Sequence, residues 1–168
     1  TSLKGLTPER AMETVFSGNP WTTSFTEDSF GNIWIGTYRN GTFCFHKNQT
    51  PFQKSMSGKN IECMSTDHSG NYWIGSLNGE VCVLDSTQKQ IMGKTIFPND
   101  MIHTICGQES SNKVWVGTMY GLYEAWIESN KQIVYQKTSG INIPSIRSIV
   151  QDSCFLWIAS YNNGVTLY

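Results

Sequence analysis

Charge is scarce in this chain: Lys, Arg, Asp and Glu make up 15 % of its 168 residues and leave a net charge of −1. That balance supplies no electrostatic reason for a nucleic-acid partner or for an acidic membrane surface. Long apolar runs are also missing. No stretch approaches the ~18 apolar residues of a bilayer-spanning helix, so no direct membrane contact is expected, and the opening TSLKGLTPER lacks the basic-then-apolar pattern of a signal peptide. The cysteines (Cys44, Cys63, Cys82, Cys106 and Cys154) are odd in number and include no CxxC, which excludes an obvious zinc site or a complete disulfide framework. They read as free, structural thiols. His46, His68 and His103 share no metal-ligand spacing, so neither metal nor cofactor is expected. Sustained helical periodicity is absent too; residues 8–16, PERAMETVF, are the only weak helical candidate.

What the chain does contain is aromatics, at 12 %, and a phrase that recurs four times. It reads EDSFGNIWIGT, TDHSGNYWIGS, QESSNKVWVGT and QDSCFLWIAS, and its tryptophans, Trp34, Trp73, Trp115 and Trp157, are 39, 42 and 42 residues apart. A fixed period in this range marks a repeat architecture. Within a unit, short apolar runs alternate with Gly/Asn/Asp/Ser clusters, the pattern of consecutive antiparallel hairpins. In Asn32-Ile33-Trp34-Ile35-Gly36-Thr37 the isoleucines and the tryptophan point to opposite faces. Both faces are therefore apolar and need sheets above and below, which the β-propeller provides. Gly31 and Gly70 suit the turn ahead of that strand, and Gly36, Gly75 and Gly117 suit a close approach after it.

The expected fold is all-β: a β-propeller of four blades, each of four antiparallel strands, over residues 1–168. The repeats run approximately 21–58, 61–98, 102–142 and 146–168. Inner trios are expected at 21–28, 33–37 and 42–46; 61–67, 72–76 and 80–84; 102–108, 114–118 and 122–127; and 146–152, 156–160 and 164–168. Outer strands come next, near 51–56, 91–97 and 132–138. The last trio has none after it, whereas residues 13–17 precede the first trio as an extra strand. Either that strand completes the last blade of a closed ring, or the chain is an open arc of a larger propeller. An arc would expose apolar blade faces and favour a second copy of the chain as partner.

The repeat resembles the two-component-regulator propeller repeat. The resemblance rests on Asp28, Gly31-Asn32, Trp34-Ile35-Gly36-Thr37 and Gly41, and on Asp67, Gly70-Asn71, Trp73-Ile74-Gly75-Ser76 and Gly79. The third unit keeps Trp115-Val116-Gly117-Thr118 and Gly121 but has Gln108 for Asp; the fourth keeps Asp152, Trp157-Ile158 and Gly164. The resemblance implies a sensor segment from the periplasmic part of a hybrid histidine kinase, of the kind found in Bacteroidetes. It implies recognition of oligosaccharides, with the remaining propeller and β-sandwich domains of a parent receptor as partners. The kinase and regulator modules of such receptors are not in this chain, so the segment itself is expected to be no enzyme. Related repeats occur in the lyases that inactivate streptogramins.

Propellers commonly bind ligands through the turns joining their second and third strands and through the connections between blades. Those turns hold Tyr38, Arg39 and Asn40; Asn78; Tyr120; and Tyr161 and Asn162. Tyrosine offers an apolar face with a polar tip, and asparagine both donates and accepts, a combination suited to a sugar. Asn-Gly is equally ordinary hairpin chemistry. Arg147, at the start of an inner strand, could face an anionic ligand or a structural salt bridge. Trp21, matched with Ile61, Ile102 and Ile146, reads as a larger plug in the same slot between blades. Asp28, Asp67 and Asp152 fall beside turns, where Asp bonds nearby backbone, so no catalytic residue is expected. A structural or protein-interaction propeller is the alternative function, with a lyase or hydrolase behind it.

Overall fold

The computed structural model describes residues 21–28, 30–45, 53–55, 58–85, 87 and 89–168, and every regular element in them is a β-strand. The chain divides into two compact units, Thr1–Ile61 and Glu62–Tyr168. The first holds one antiparallel sheet, ordered β1 (Thr22–Glu27), β2 (Ile33–Thr37), β3 (Gly41–Phe45) and β4 (Gln53–Ser55). The second unit holds three sheets. One orders β5 (Ile61–Thr66, beginning at the boundary), β6 (Tyr72–Ser76), β7 (Glu80–Leu84) and β8 (Gln90–Thr95). The next orders β9 (Ile102–Gly107), β10 (Lys113–Thr118), β11 (Leu122–Ile127) and β12 (Ile133–Lys137). The last has β13 (Ile146–Gln151), β14 (Leu156–Ser160) and β15 (Gly164–Leu167). These are the expected blades, strand for strand. The extra strand expected at 13–17 lies outside the described residues.

One side-chain arrangement builds the first turn of the first, second and fourth blades. Asp28 accepts the backbone N–H groups of Phe30 and Asn32 on Oδ1, at 2.9 and 2.8 Å. Its Oδ2 accepts the Asn32 amide at 2.8 Å and the Trp34 indole N–H at 3.2 Å. Asp67 repeats this with Asn71 and with Trp73, whose indole lies 2.9 Å away. Asp152 does so with the N–H groups of Cys154 and Phe155 and with Trp157 at 2.8 Å, although the turn glycine is gone. Its bonds to Trp157 and to that backbone hold the Asp152 carboxyl below the usual carboxylate range. In the third blade Gln108 bonds Glu124 instead, and the Trp115 indole donates to Gln151 of the following blade at 3.1 Å. The recurring Asp-Gly-Asn-Trp phrase is thus a turn whose carboxylate also carries the indole. The turn glycines Gly31 and Gly70 both have φ of 78°.

Within the second unit the faces bearing Trp73 and Trp115 pack on the isoleucines of the next sheet. A Cβ on Gly75 would lie 2.7 Å from Ile102 Cγ2 and 2.8 Å from Cys63 Sγ; one on Gly117 would lie 2.5 Å from Ile146 Cγ2 and 2.6 Å from Thr104 Cγ2. The small residue after the tryptophan is therefore set by the approach of the neighbouring inner strand. Trp73, Ile102, Ile105, Val114 and Val116 form the core on one side of β9–β12, and Leu122, Ile146, Ile149 and Ile158 form it on the other. The cysteines are free thiols, with Cys44, Cys63 and Cys82 buried. Burial, with the Asp28 charge second, pushes the Cys44 thiol up to about 12, an inert packing group.

These contacts set two differences in stability. Asp67→Ala strands the indole of a fully buried Trp73, so it should lower unfolding free energy by about 1–3 kcal/mol. Asp152→Ala should lose clearly less, because Trp157 is 44 % exposed and water can replace the carboxylate. Urea titration of both variants checks the order. Gly117→Ala should be destabilising by about 1–3 kcal/mol through overpacking, whereas Ala159→Gly, at the same repeat position, should change stability by about 1 kcal/mol or less.

Candidate functional site

The candidate residues fall on both units. In the first, the Tyr38 ring lies 6.1 Å from Trp21, with Arg39 Cζ 5.1 Å above it, and Asn40 N–H donates to Thr37 Oγ1. Trp21 is not the plug that its matching with Ile61, Ile102 and Ile146 suggests. Thr22 pairs with Thr37 as Ile102 pairs with Thr118 and Ile146 with Ser160, so Trp21 corresponds to Met101 and Ser145 in the connections. The third blade's first turn is one residue longer, which shifts a count made from the tryptophans. Trp21 is 72 % exposed, and its carbonyl accepts the Tyr38 N–H at 2.9 Å.

In the second unit, hydrogen bonds stitch successive turns and connections together. The Ser76 hydroxyl bonds the Asn78 side-chain oxygen and lies 3.1 Å from the Glu80 carbonyl, so Asn78 serves its own turn. Buried Asp100 accepts the N–H groups of Met101 and Met119 at 2.7 and 3.0 Å. Ser145 N–H donates to the Met119 carbonyl at 2.7 Å, and its own carbonyl accepts Tyr161 N–H at 3.0 Å. Ser145 does this with φ of 54°, a left-handed conformation that in a non-glycine residue costs about 1–3 kcal/mol. The turns carrying Tyr120 and Tyr161 are thereby tied through one residue, and both rings project outward, 62 % and 71 % exposed. Asn162 is exposed beside Tyr161.

Arg147 meets this row from the inner strand. The pairing of β13 with β14 is interrupted between Ile146 and Ser148, and that of β9 with β10 between Ile102 and Thr104. Arg147 and His103 are the extra residues at these two bulges, a position that re-aims a side chain. Glu62 holds the corresponding place after Ile61. The Arg147 guanidinium lies 5.3 Å from the Tyr161 ring centroid, and its Nη1 is 3.3 Å from His103 Nδ1. Arginine can only donate, so Nδ1 accepts and the proton of neutral His103 sits on Nε2. That atom is buried with no partner among the described residues. Burial and then the Arg147 charge lower the His103 pKa, while Asp100 opposes them. Burial raises the Glu62 carboxyl, and Arg147 works against that.

The salt bridge weighed for Arg147 is not formed with any described residue; a described ion pair lies elsewhere, Lys113 to Glu124 at 3.3 Å. The sequence set His103 aside as a non-ligand and gave no role to Asp100 or Ser145. A signal existed in the alternation itself: Glu62, His103 and Arg147 come directly after the equivalent Ile61, Ile102 and Ile146. Also unforeseen is a cavity of about 220 Å³ beside Trp115, lined by Gln151, Asp152, Phe155, Leu156 and Tyr168 among others. Among the described residues no group of three or more His, Cys, Asp or Glu could hold a metal ion, and no helix is long and apolar enough to cross a membrane.

Blades with this Asp–Trp turn and face-to-face packing define a β-propeller segment. The family model described as two component regulator propeller matches residues 16–39. A comparison with curated proteins gave no match. The extracellular domain of a hybrid two-component system from B. thetaiotaomicron is similar at 26 % identity and TM-score 0.67, over 89 % of this chain and 21 % of that one. The extracellular domain of a one-component system from the same organism is similar at 23 % identity and TM-score 0.66, over 89 % and 20 %. This chain thus spans about a fifth of those domains. Virginiamycin B lyase from Staphylococcus aureus, in an inactive form with quinupristin, shares the fold alone, at 13 % identity and TM-score 0.67 over 89 % and 55 %. The likeness is to extracellular domains of a hybrid two-component and a one-component system.

His103 gives this site a pH signature. Its folded pKa lies below the ordinary 6.5, so the unfolded chain binds its proton more readily. The stability due to neutral His103 is full above about 6.5 and falls as pH drops from there toward the folded value. His103→Gln should flatten that part of the profile between pH 7 and 5, read as denaturation midpoints at each pH.

Proposed function

We propose that this chain is a ligand-sensing segment in the periplasmic part of a hybrid two-component receptor and recognises an oligosaccharide. The observation that carries the reading is the pair of exposed rings, Tyr120 and Tyr161, on turns held together through Ser145. Two outward aromatic faces beside Asn162 and Arg147 offer stacking surface and hydrogen-bond donors on a rigid support. In the first unit Tyr38, Arg39 and Asn40 offer the same chemistry, with Tyr38 already backed by Trp21. Binding would act by population shift: a ligand favouring one arrangement of the parent receptor's propeller and β-sandwich domains biases the output without any reaction in this segment.

The test is calorimetry of the chain against a broad oligosaccharide panel. Tyr120→Ala with Tyr161→Ala should weaken binding tenfold or more, about 1.4 kcal/mol. Unfolding free energy should move by only about 0.5 kcal/mol per site, as is usual for exposed positions. If neither this chain nor a full-length receptor containing it binds any sugar, the sensing reading fails. A second reading, a propeller surface for domain packing or for a second copy, rests on a different observation. Val150, Trp157 and Leu167 lie in one cross-strand row of the last sheet, with Val165 nearby, and all are exposed.

A further inference from the structure

We infer that Arg147, braced by His103 and Tyr161, is a receptor for the carboxylate of an acidic sugar, whose ring would lie along the Tyr161–Tyr120 row. The inference rests on the sensing reading and narrows its ligand class. Its basis is the state of the guanidinium. An arginine that serves structure ordinarily meets a carboxylate, yet Arg147 has none among the described residues and is itself exposed. It is nonetheless fixed: the bulge at 146–148 aims it, Tyr161 lies under it at 5.3 Å, and Nη1 is tied to His103 at 3.3 Å. One Nη1 bond leaves the remaining guanidinium N–H groups to form the two parallel bonds of an arginine–carboxylate pair.

The surroundings favour a single carboxylate over a denser anion. His103 stays neutral, contributing a brace but no second positive charge, and its Nε2–H is a buried donor without an acceptor among the described residues. The Arg147 charge acts on Glu62 without an ion pair between them, and the Glu62 carboxyl limits the positive field there. Asp100, on the connection before β9, adds negative charge on the His103 side. One guanidinium with carboxylates at its margins suits a monoanionic sugar and disfavours a polyphosphate or nucleic acid. Tyr161, already bearing the guanidinium on one face, leaves an exposed ring for the apolar side of a pyranose.

The experiment is calorimetry of the 168-residue chain with tetramers of galacturonate, glucuronate and mannuronate, each beside its carboxyl-reduced neutral counterpart. At least one uronate should bind ten times or more tightly than its reduced form, and binding should weaken between 50 and 500 mM salt. Arg147→Gln should abolish that preference, Arg147→Lys should keep part of it, and Glu62→Gln should strengthen uronate binding. Circular dichroism and thermal melting of the variants confirm that the fold persists. If neutral oligosaccharides bind as well as uronates, or Arg147→Gln leaves the preference intact, the carboxylate receptor is overturned while the sensing reading stands. If nothing in either set or in the broad panel binds this chain or a full-length receptor containing it, both fall together.

Discussion

The bond from an aspartate to the indole of the tryptophan six residues on, or five in the last blade, is the constraint on which this structure rests. One oxygen of Asp28, Asp67 or Asp152 closes the turn by accepting backbone N–H groups, and the other receives the indole N–H. A buried indole needs an acceptor, and a buried carboxylate needs donors. Here each satisfies the other, so a large apolar ring can lie across the sheet without stranding a polar atom. Where glutamine replaces aspartate at residue 108, the indole of Trp115 finds Gln151 instead. That substitution moves the tie from within a blade to between blades, and the requirement for an acceptor survives the change of residue.

The tryptophan in turn limits the size of its neighbours. With the ring filling one face of the second strand, the adjacent position must be small enough to admit the next inner strand, and Gly75 and Gly117 are. Close approach of those strands leaves no room at their centre, so the first residue, Ile102 or Ile146, is wholly buried. The residue after it is then displaced by the bulge, out of the apolar slot. His103 and Arg147 stand where the packing stops being apolar. The candidate site is a consequence of blade geometry: the same register that buries the isoleucine turns its neighbour toward the polar end.

The fold was legible because each blade repeats a local rule. Four phrases in register located the inner strands to within a residue or two, since alternation and turn chemistry act over a handful of residues. The turn roles of the aspartates were equally plain. Trp21 was misplaced because loop length is not part of that rule: against the first blade, the first turn is one residue longer in the third blade and one shorter in the fourth, and only strand pairing fixes which residues are equivalent. The site was legible only in outline. Exposed tyrosines on the turns could be read from position, but the tie through Ser145 depends on a backbone conformation that no periodicity announces. His103 looked unremarkable alone, and acquires meaning only from an arginine forty-four residues away.

Three unfavourable features meet around Arg147 and Tyr161. Ser145 holds a left-handed conformation, His103 keeps a buried donor without an acceptor among the described residues, and Glu62 is half-buried with a raised pKa. Each opposes stability; elsewhere in the second unit Lys131 is also left-handed and the Thr138 hydroxyl is also buried without a partner among the described residues, whereas the apolar cores and turn carboxylates are well satisfied. Packing alone gives no reason for three unfavourable features to share the neighbourhood of Arg147 and Tyr161. A ligand that accepts from the guanidinium and covers the exposed ring would draw part of its binding free energy from satisfying groups the free protein leaves wanting. On that view the site is preorganised at the expense of the fold that carries it.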